Sequence, residues 1–496
     1  MPFALEVFER QMEGFLRARS WREWQFQSGL RPGRGLVDLY DTDFPDVLSK
    51  DLYADLQDAQ IEDERRQRRL LDLLARANLE GRTREYAVRT TRLEAASTIT
   101  FEQETLSWRE APVRWCRIPE VSRRHELESA WRDCARVEFS PVLERWQEAL
   151  AALPMQLAEA PDWHSFRAGH LEFELATADA LAQQLLASSE EVYPHALGVY
   201  LAQLDLPIDD LWPSDADWAF RGERFEASFP EQARMPAVVR TFRELGIEIE
   251  DQPELRLEPG SDLHVRWLPL DIPGEVHVLL RLVGGHLDYR GTLRGVGSAE
   301  HVLWTERSLP FSERWLGDPT PCLGYGLLFE HLVDEPVWLA DRLEITTSND
   351  LRVVEQIDRV RRLRQLAAQV QYERQLWAAE PGSSVAAEYE ERLTAATRVR
   401  HFPETYLLCL LGAPWSLHSA AIELRAEVFA AQLRAFLRRE FDEEWFRSPR
   451  AGRFLIQELW RPGTRHTAEQ LLGFMGYEGF DPSILWNDIA EVLAPL

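Results

Sequence analysis

Cysteine is scarce in this chain: four in 496 residues, Cys116, Cys134, Cys322 and Cys409. None is spaced Cys-x-x-Cys, which excludes a disulfide-built scaffold and a thiolate metal knuckle. The thiols are expected to be reduced and buried in a cytoplasmic protein, with Cys116 and Cys134 as the pair that could bridge. No apolar run approaches the length of a bilayer span. The first twenty residues, MPFALEVFERQMEGFLRARS, form an amphipathic helix with charges throughout, not a secretion signal. Lysine is nearly missing, since almost all of the 56 basic residues are arginine. They are outnumbered by 83 carboxylates, and the net charge is −27. Such a charge argues against nucleic acid and anionic membranes as partners. A Gly-x-Ser-x-Gly elbow, a Cys–His pair of known spacing and a Walker loop are all lacking, so no ready nucleophile or nucleotide cradle is offered. Repeats and low-complexity tracts are lacking too.

What the chain has in abundance is helical periodicity. Residues 51–79 read as one long helix, with Leu52, Leu56, Leu70 and Leu74 on its apolar face and Gly81 as its stop. Residues 172–204 read as one or two helices, broken near Pro194. Residues 354–379 carry Ile357, Val360, Leu363, Ala367, Val370 and Trp377 at helical spacing, up to Pro381-Gly382. Residues 420–439 are another helix. Strand-like alternation is confined to 98–104 and 255–283. The 18 tryptophans are expected mostly in packing. A chain of this length divides into lobes. Breaks at 206–217 and 229–236 suggest an N-terminal helical lobe, 1–225, and a second lobe, 226–496.

The second lobe carries a set of segments in a telling order. Residues 274–282 read GEVHVLLRL, with Gly284-Gly285 as a turn after them. Residues 287–304 read LDYRGTLRGVGSAEHVLW, residues 316–339 LGDPTPCLGYGLLFEHLVDEPVWL, residues 444–447 EWFR and residues 454–460 FLIQELW. From about residue 259 onward this order resembles the thimet oligopeptidase and oligoendopeptidase F family of zinc metallopeptidases, with weaker likeness before it. The resemblance implies a mainly α, oligopeptidase-like (zincin-type) multi-helical fold. It also implies a small β-sheet beside the metal helix and a central cleft.

In that family a helix bears His-Glu-x-x-His, two ligands and a general base, and a second helix adds a glutamate about 25 residues later. The matching positions here are Arg294, Gly295, Ser298 and Leu323. Arginine repels a cation, glycine takes no proton, and serine and leucine are not zinc ligands here. The resemblance therefore implies a pseudopeptidase with zinc absent, binding a peptide or partner protein. The alternative is a hydrolase or peptidase with a relocated, non-standard site. A structural subunit of a larger assembly is a third reading.

Arg294, Ser298 and His301 fall on one helical face, and Leu323 and Glu330 share another. Arg294 has two readings. It salt-bridges Glu330 or Asp318, or it stands in for the metal's charge and grips a peptide carboxylate or carbonyl. A third reading builds a relocated metal site from His301, Glu330 and His331 or His286. His277 and His264 lie in strands, where an edge or solvent-facing role is expected. The strand starting at Glu275 is a candidate to receive a peptide by strand addition. Glu275 and His277 thus join Arg294, His301 and Glu330 as candidate cleft residues. The family's oxyanion-binding tyrosines fall on Ser419 and Glu423 of SAAIELRA, with Tyr406 and His418 nearby.

Overall fold

Helical periodicity governs most of the chain, and capping chemistry decides where each run breaks. The computed structural model describes all residues except 1–2, 32, 261–264, 281, 283, 348, 378–382 and 412–417. His264 and the expected stop at Pro381-Gly382 lie outside the described residues. The principal helices are α1 (Leu5–Gln27), α2 (Glu64–Arg82), α3 (Leu175–Ser189), α4 (His286–Trp304), α5 (Thr320–Glu330), α6 (Asn349–Leu376) and α7 (Ser419–Phe441).

Residues 51–79 are not one helix. A first helix, Lys50–Asp58, ends, and Asp63 starts α2 by accepting from the Arg65 and Arg66 amides at 3.0 and 3.1 Å. Gly81 does not stop α2 either. It lies inside the last turn, where a Cβ would sit 2.5 Å from Leu48 Cδ2 and 2.7 Å from Tyr40 Cδ1. Its job is close approach. Pro194 falls in the first turn of the helix Val192–Ala202, where its missing N–H has no intrahelical partner to lose.

β1 (Thr98–Phe101) and β2 (Glu104–Ser107) form a hairpin. β3 (Leu255–Pro259), β4 (Arg266–Asp271) and β5 (Glu275–Leu280) form a sheet in the order β3-β5-β4, with β5 parallel to β3 and antiparallel to β4. Val276, Val278 and Leu280 pack with Ala299 and Val302 of α4. On the other face the His277 ring lies 5.1 Å from that of Trp24 on α1. Gly284 and Gly285, at φ 96° and 71°, turn the chain from the sheet into α4, as expected. β5 is central, so both its edges are taken and it receives no added strand. His277 is accordingly 3% exposed, not at an edge.

The apolar cores cross residue 225. One gathers the N-terminal helices around Tyr372, Leu393 and Leu410. Another joins α3 to Val354, Ile357 and Leu363 of α6 and to Leu485 and Ile489. All four cysteines are free, but only Cys322 is buried, while Cys409 is exposed. The expectation of four buried thiols is corrected there. Among the described residues no helix is long and apolar enough to cross a membrane.

Candidate functional site

Glycine sets how closely α4 meets its neighbours. A Cβ on Gly295 would lie 2.5 Å from Val278 Cγ1 of β5. One on Gly297 would lie 2.6 Å from Phe329 Cδ2, and one on Gly326 of α5 2.4 Å from Ser298 Oγ. These positions have no room for a larger side chain without displacement. Position 295 therefore faces the sheet and has no space for a glutamate. Ser298 is buried, and its hydroxyl donates to the Cys322 carbonyl at 3.2 Å.

Arg294 leaves α4 in the other direction. Its Nη1 donates to Glu330 of α5 at 3.2 Å, and its Nη2 to Glu423 of α7 at 2.9 Å. Arg290, one turn earlier, also donates to Glu330, at 2.9 Å, and to Glu355 of α6. Glu355 lies 2.7 Å from His286 Nε2. An ionic lattice thus links four helices. Burial by itself would raise the Glu330 carboxyl. Arg290 and Arg294 override it and hold that carboxyl at about 2. Burial likewise opposes the charge on Arg294, and Glu330 and Glu423 reverse that and raise its basicity.

A cavity of about 390 Å³ opens beside this lattice, lined by Arg294, His301, Leu323, Ser419 and Glu423. Trp267 and Pro269 of β4 border it, and Arg69, His170 and Phe173 line it from the N-terminal helices. Arg69 is fixed there by Glu172 at 2.8 Å. Burial drives His301 to about 4, so its ring is neutral at pH 7. Its Nε2 lies 3.2 Å from the Gly463 carbonyl.

The structure thus brings Arg294, His301 and Leu323 to the cavity wall, with Glu330 buried behind Arg294. It packs Gly295 and Ser298 away. It also places Glu275 and His277 elsewhere. His277 lies between Glu258 and Glu275, at 3.1 and 2.9 Å, outside the cavity lining. Asp318 does not meet Arg294. It pairs with Arg425 at 3.2 Å, so two residues of resemblance-bearing segments bind each other. The residues proposed for a relocated metal site are engaged separately: His331 with Glu427 at 3.1 Å, His286 with Glu355, His301 with a carbonyl. Among the described residues no group of three or more His, Cys, Asp or Glu side chains could hold a metal ion. Where the resemblance places zinc, a guanidinium already lies between two carboxylates, and the residues do not fit that ion. Tyr406 lines a different cavity, and His418 is buried just before α7.

Sequence reasoning missed Arg290 and Glu355. Arg290 had a signal, four residues before Arg294 and so on the same face. Glu355 had none.

No family model matches the sequence, and no curated protein matches it. Solved structures do. Trypanosoma cruzi metallocarboxypeptidase 1 is similar at TM-score 0.65 and 13% identity, over 98% of this chain and 99% of that one. A Pyrococcus furiosus carboxypeptidase gives 0.60 and 14%, over 98% and 97%. A protein assigned as an oligoendopeptidase F gives 0.64 and 14%, over 92% and 86%. The fold is that of the zincin-type peptidases. Its mainly helical build, with a small sheet beside α4, agrees with the expectation from the sequence. At these identities the likeness extends to the zincin-type fold and not to activity.

Proposed function

We propose that the protein is a catalytically inactive relative of the zincin-type metallopeptidases that holds a peptide, or an extended segment of a partner protein, in its cleft. The observation that carries this reading is Arg294, 2.9 Å from Glu423 on the cavity wall, where the resemblance expects a zinc ligand. The resemblance assigns zinc binding and water activation to positions that hold Arg294, Gly295, Ser298 and Leu323 here. Arginine offers a different service: a planar fork of donors for a carboxylate or carbonyl. Glu330 is buried and holds one edge of that fork. The Glu423 side chain is 36% exposed and holds the other. A ligand carboxylate can replace Glu423 without uncovering Glu330, which favours peptides with a free C-terminus. The four free thiols suit a reducing, cytoplasmic setting.

The test has two arms. Purified protein is analysed for metal and incubated with quenched fluorescent peptides, with and without chelator. Calorimetry then compares a pool of short peptides bearing free C-terminal carboxylates with the same pool amidated. No stoichiometric zinc, no cleavage and measurable binding are expected. Stoichiometric zinc with cleavage abolished by chelator would refute the reading and favour a relocated catalytic site.

A further inference from the structure

Away from the cleft lies a second cavity, of about 340 Å³, between the helix Val121–Cys134, α6 and the helix Ser383–Thr397. Trp131, Tyr389, Phe402 and Tyr406 give it aromatic walls, and Glu128 and Glu373 give it two carboxyl groups. Among its described lining residues there is no lysine or arginine, although the chain has 56. The cation Arg132 stacks on Phe402 but does not line the cavity, and Glu404 binds it at 2.6 Å.

Glu128 accepts from the Ser214 amide at 2.9 Å and has Arg132 Nε 3.9 Å away. The Glu373 carboxyl accepts from the Ala420 backbone, but its Oε2 and the Tyr406 Oη are shielded from solvent and have no hydrogen-bond partner among the described residues. Tyr406 is only 5% exposed. Buried polar atoms are normally bonded, so each unpaired one calls for an explanation. Both of these atoms can accept a hydrogen bond, so a partner for either one is a donor. Burial also raises both carboxyls, Glu128 to about 7 and Glu373 to about 8. A carboxyl raised by burial gives up its proton beside a cation, and aromatic walls, with the lining His401 held neutral by burial at about 4, make a setting that attracts an organic cation.

We propose that this cavity is a binding site for a small organic amine, its ammonium at Glu373 and Tyr406 and its apolar stem against the rings. Its volume falls in the range of small-ligand pockets. The proposal is independent of what the cleft binds.

Benzylamine is the probe, with benzyl alcohol as the uncharged control of the same shape. Binding is read by calorimetry and by tryptophan fluorescence on the full chain. Benzylamine is expected to bind, and benzyl alcohol to bind at least tenfold more weakly. Glu373→Gln should weaken benzylamine at least tenfold, since it removes the charge partner. Tyr406→Phe keeps the ring and should weaken it roughly threefold, the scale of one neutral hydrogen bond. It serves as the readout if the first variant fails to fold. Absence of benzylamine binding, equal binding of the two compounds, or indifference to both substitutions overturns the proposal.

Discussion

Arg294 on α4 and Glu423 on α7 meet at 2.9 Å, and the same guanidinium reaches Glu330 on α5 at 3.2 Å. One side chain therefore ties three helices together at the cavity wall. Its two carboxylates are unequal, since Glu330 is buried and Glu423 is partly open to solvent.

That inequality separates binding from stability. Arg294→Ala should weaken the free-carboxylate peptide pool at least tenfold, the scale of a lost charged hydrogen bond. Because Arg294 is partly exposed, unfolding free energy should fall by only about 1–2 kcal/mol. Glu423→Gln should do the reverse, raising affinity for that pool by freeing one edge of the guanidinium. Calorimetry and urea unfolding on both variants check the pair. Affinity unchanged in both would leave Arg294 a purely structural residue.

Glu330 makes the fold acid-sensitive. Its carboxyl sits at about 2 in the folded protein, below its ordinary value of 4.5. A depressed carboxyl contributes stability above the unfolded value, and that contribution is lost as pH falls from about 4.5 toward 2. Glu330→Gln should cost about 3–5 kcal/mol at pH 7, because it removes the buried charge that Arg290 and Arg294 share. Its stability profile should also be flatter than the parent's below pH 4.5. Parallel profiles in urea titrations would contradict this.

Glu300, also on α4, has the opposite sign. It is fully buried, and burial raises its carboxyl to about 7 against the pull of Gln252 and Trp304. Its contribution is complete below about pH 4.5 and is lost as pH rises through 7. Glu300→Gln keeps an oxygen for the Trp304 indole, which donates to Glu300 at 2.8 Å. The variant should be more stable than the parent by roughly 2 kcal/mol at pH 8, with the gain vanishing below pH 4.5. A constant difference across that range in chemical denaturation would disprove the linkage.

Restoring the expected ligands should not restore a peptidase. The quadruple variant Arg294→His, Gly295→Glu, Ser298→His, Leu323→Glu places a glutamate where even a Cβ would lie 2.5 Å from Val278. Gly295→Ala alone should lower stability by about 1–3 kcal/mol, the usual penalty of overpacking. Thermal unfolding of the single variant and a zinc-dependent cleavage assay of the quadruple one decide it. Zinc-dependent turnover would show that the sheet yields.

Much of this architecture was legible. The 3.6-residue period located α6 and α7, and ordered segments pointed to the zincin-type fold. Spacing gave the faces of α4 and α5, and the resemblance set Arg294 opposite Glu330. The rest depended on distance in space. Glu355 and Glu423 come from helices 65 and 129 residues from their arginines, and no local pattern announces such partners. Gly81 misled because a helix stop and a tight helix contact both select glycine. The break at Asp63 was readable as a cap but lay inside a run of well-spaced leucines. The placing of β5 between β3 and β4 misled in turn, because its parallel partner arrives from an earlier stretch of chain.

Pro269 lies on β4, the strand that borders the cavity. Edge strands admit proline where its nitrogen faces away from the neighbouring strand. A guest laid along β4 would therefore find a rung missing from the ladder, and one of its carbonyls would need water or a bend. The backbone of the host thus helps choose the register of a visitor before any side chain is read.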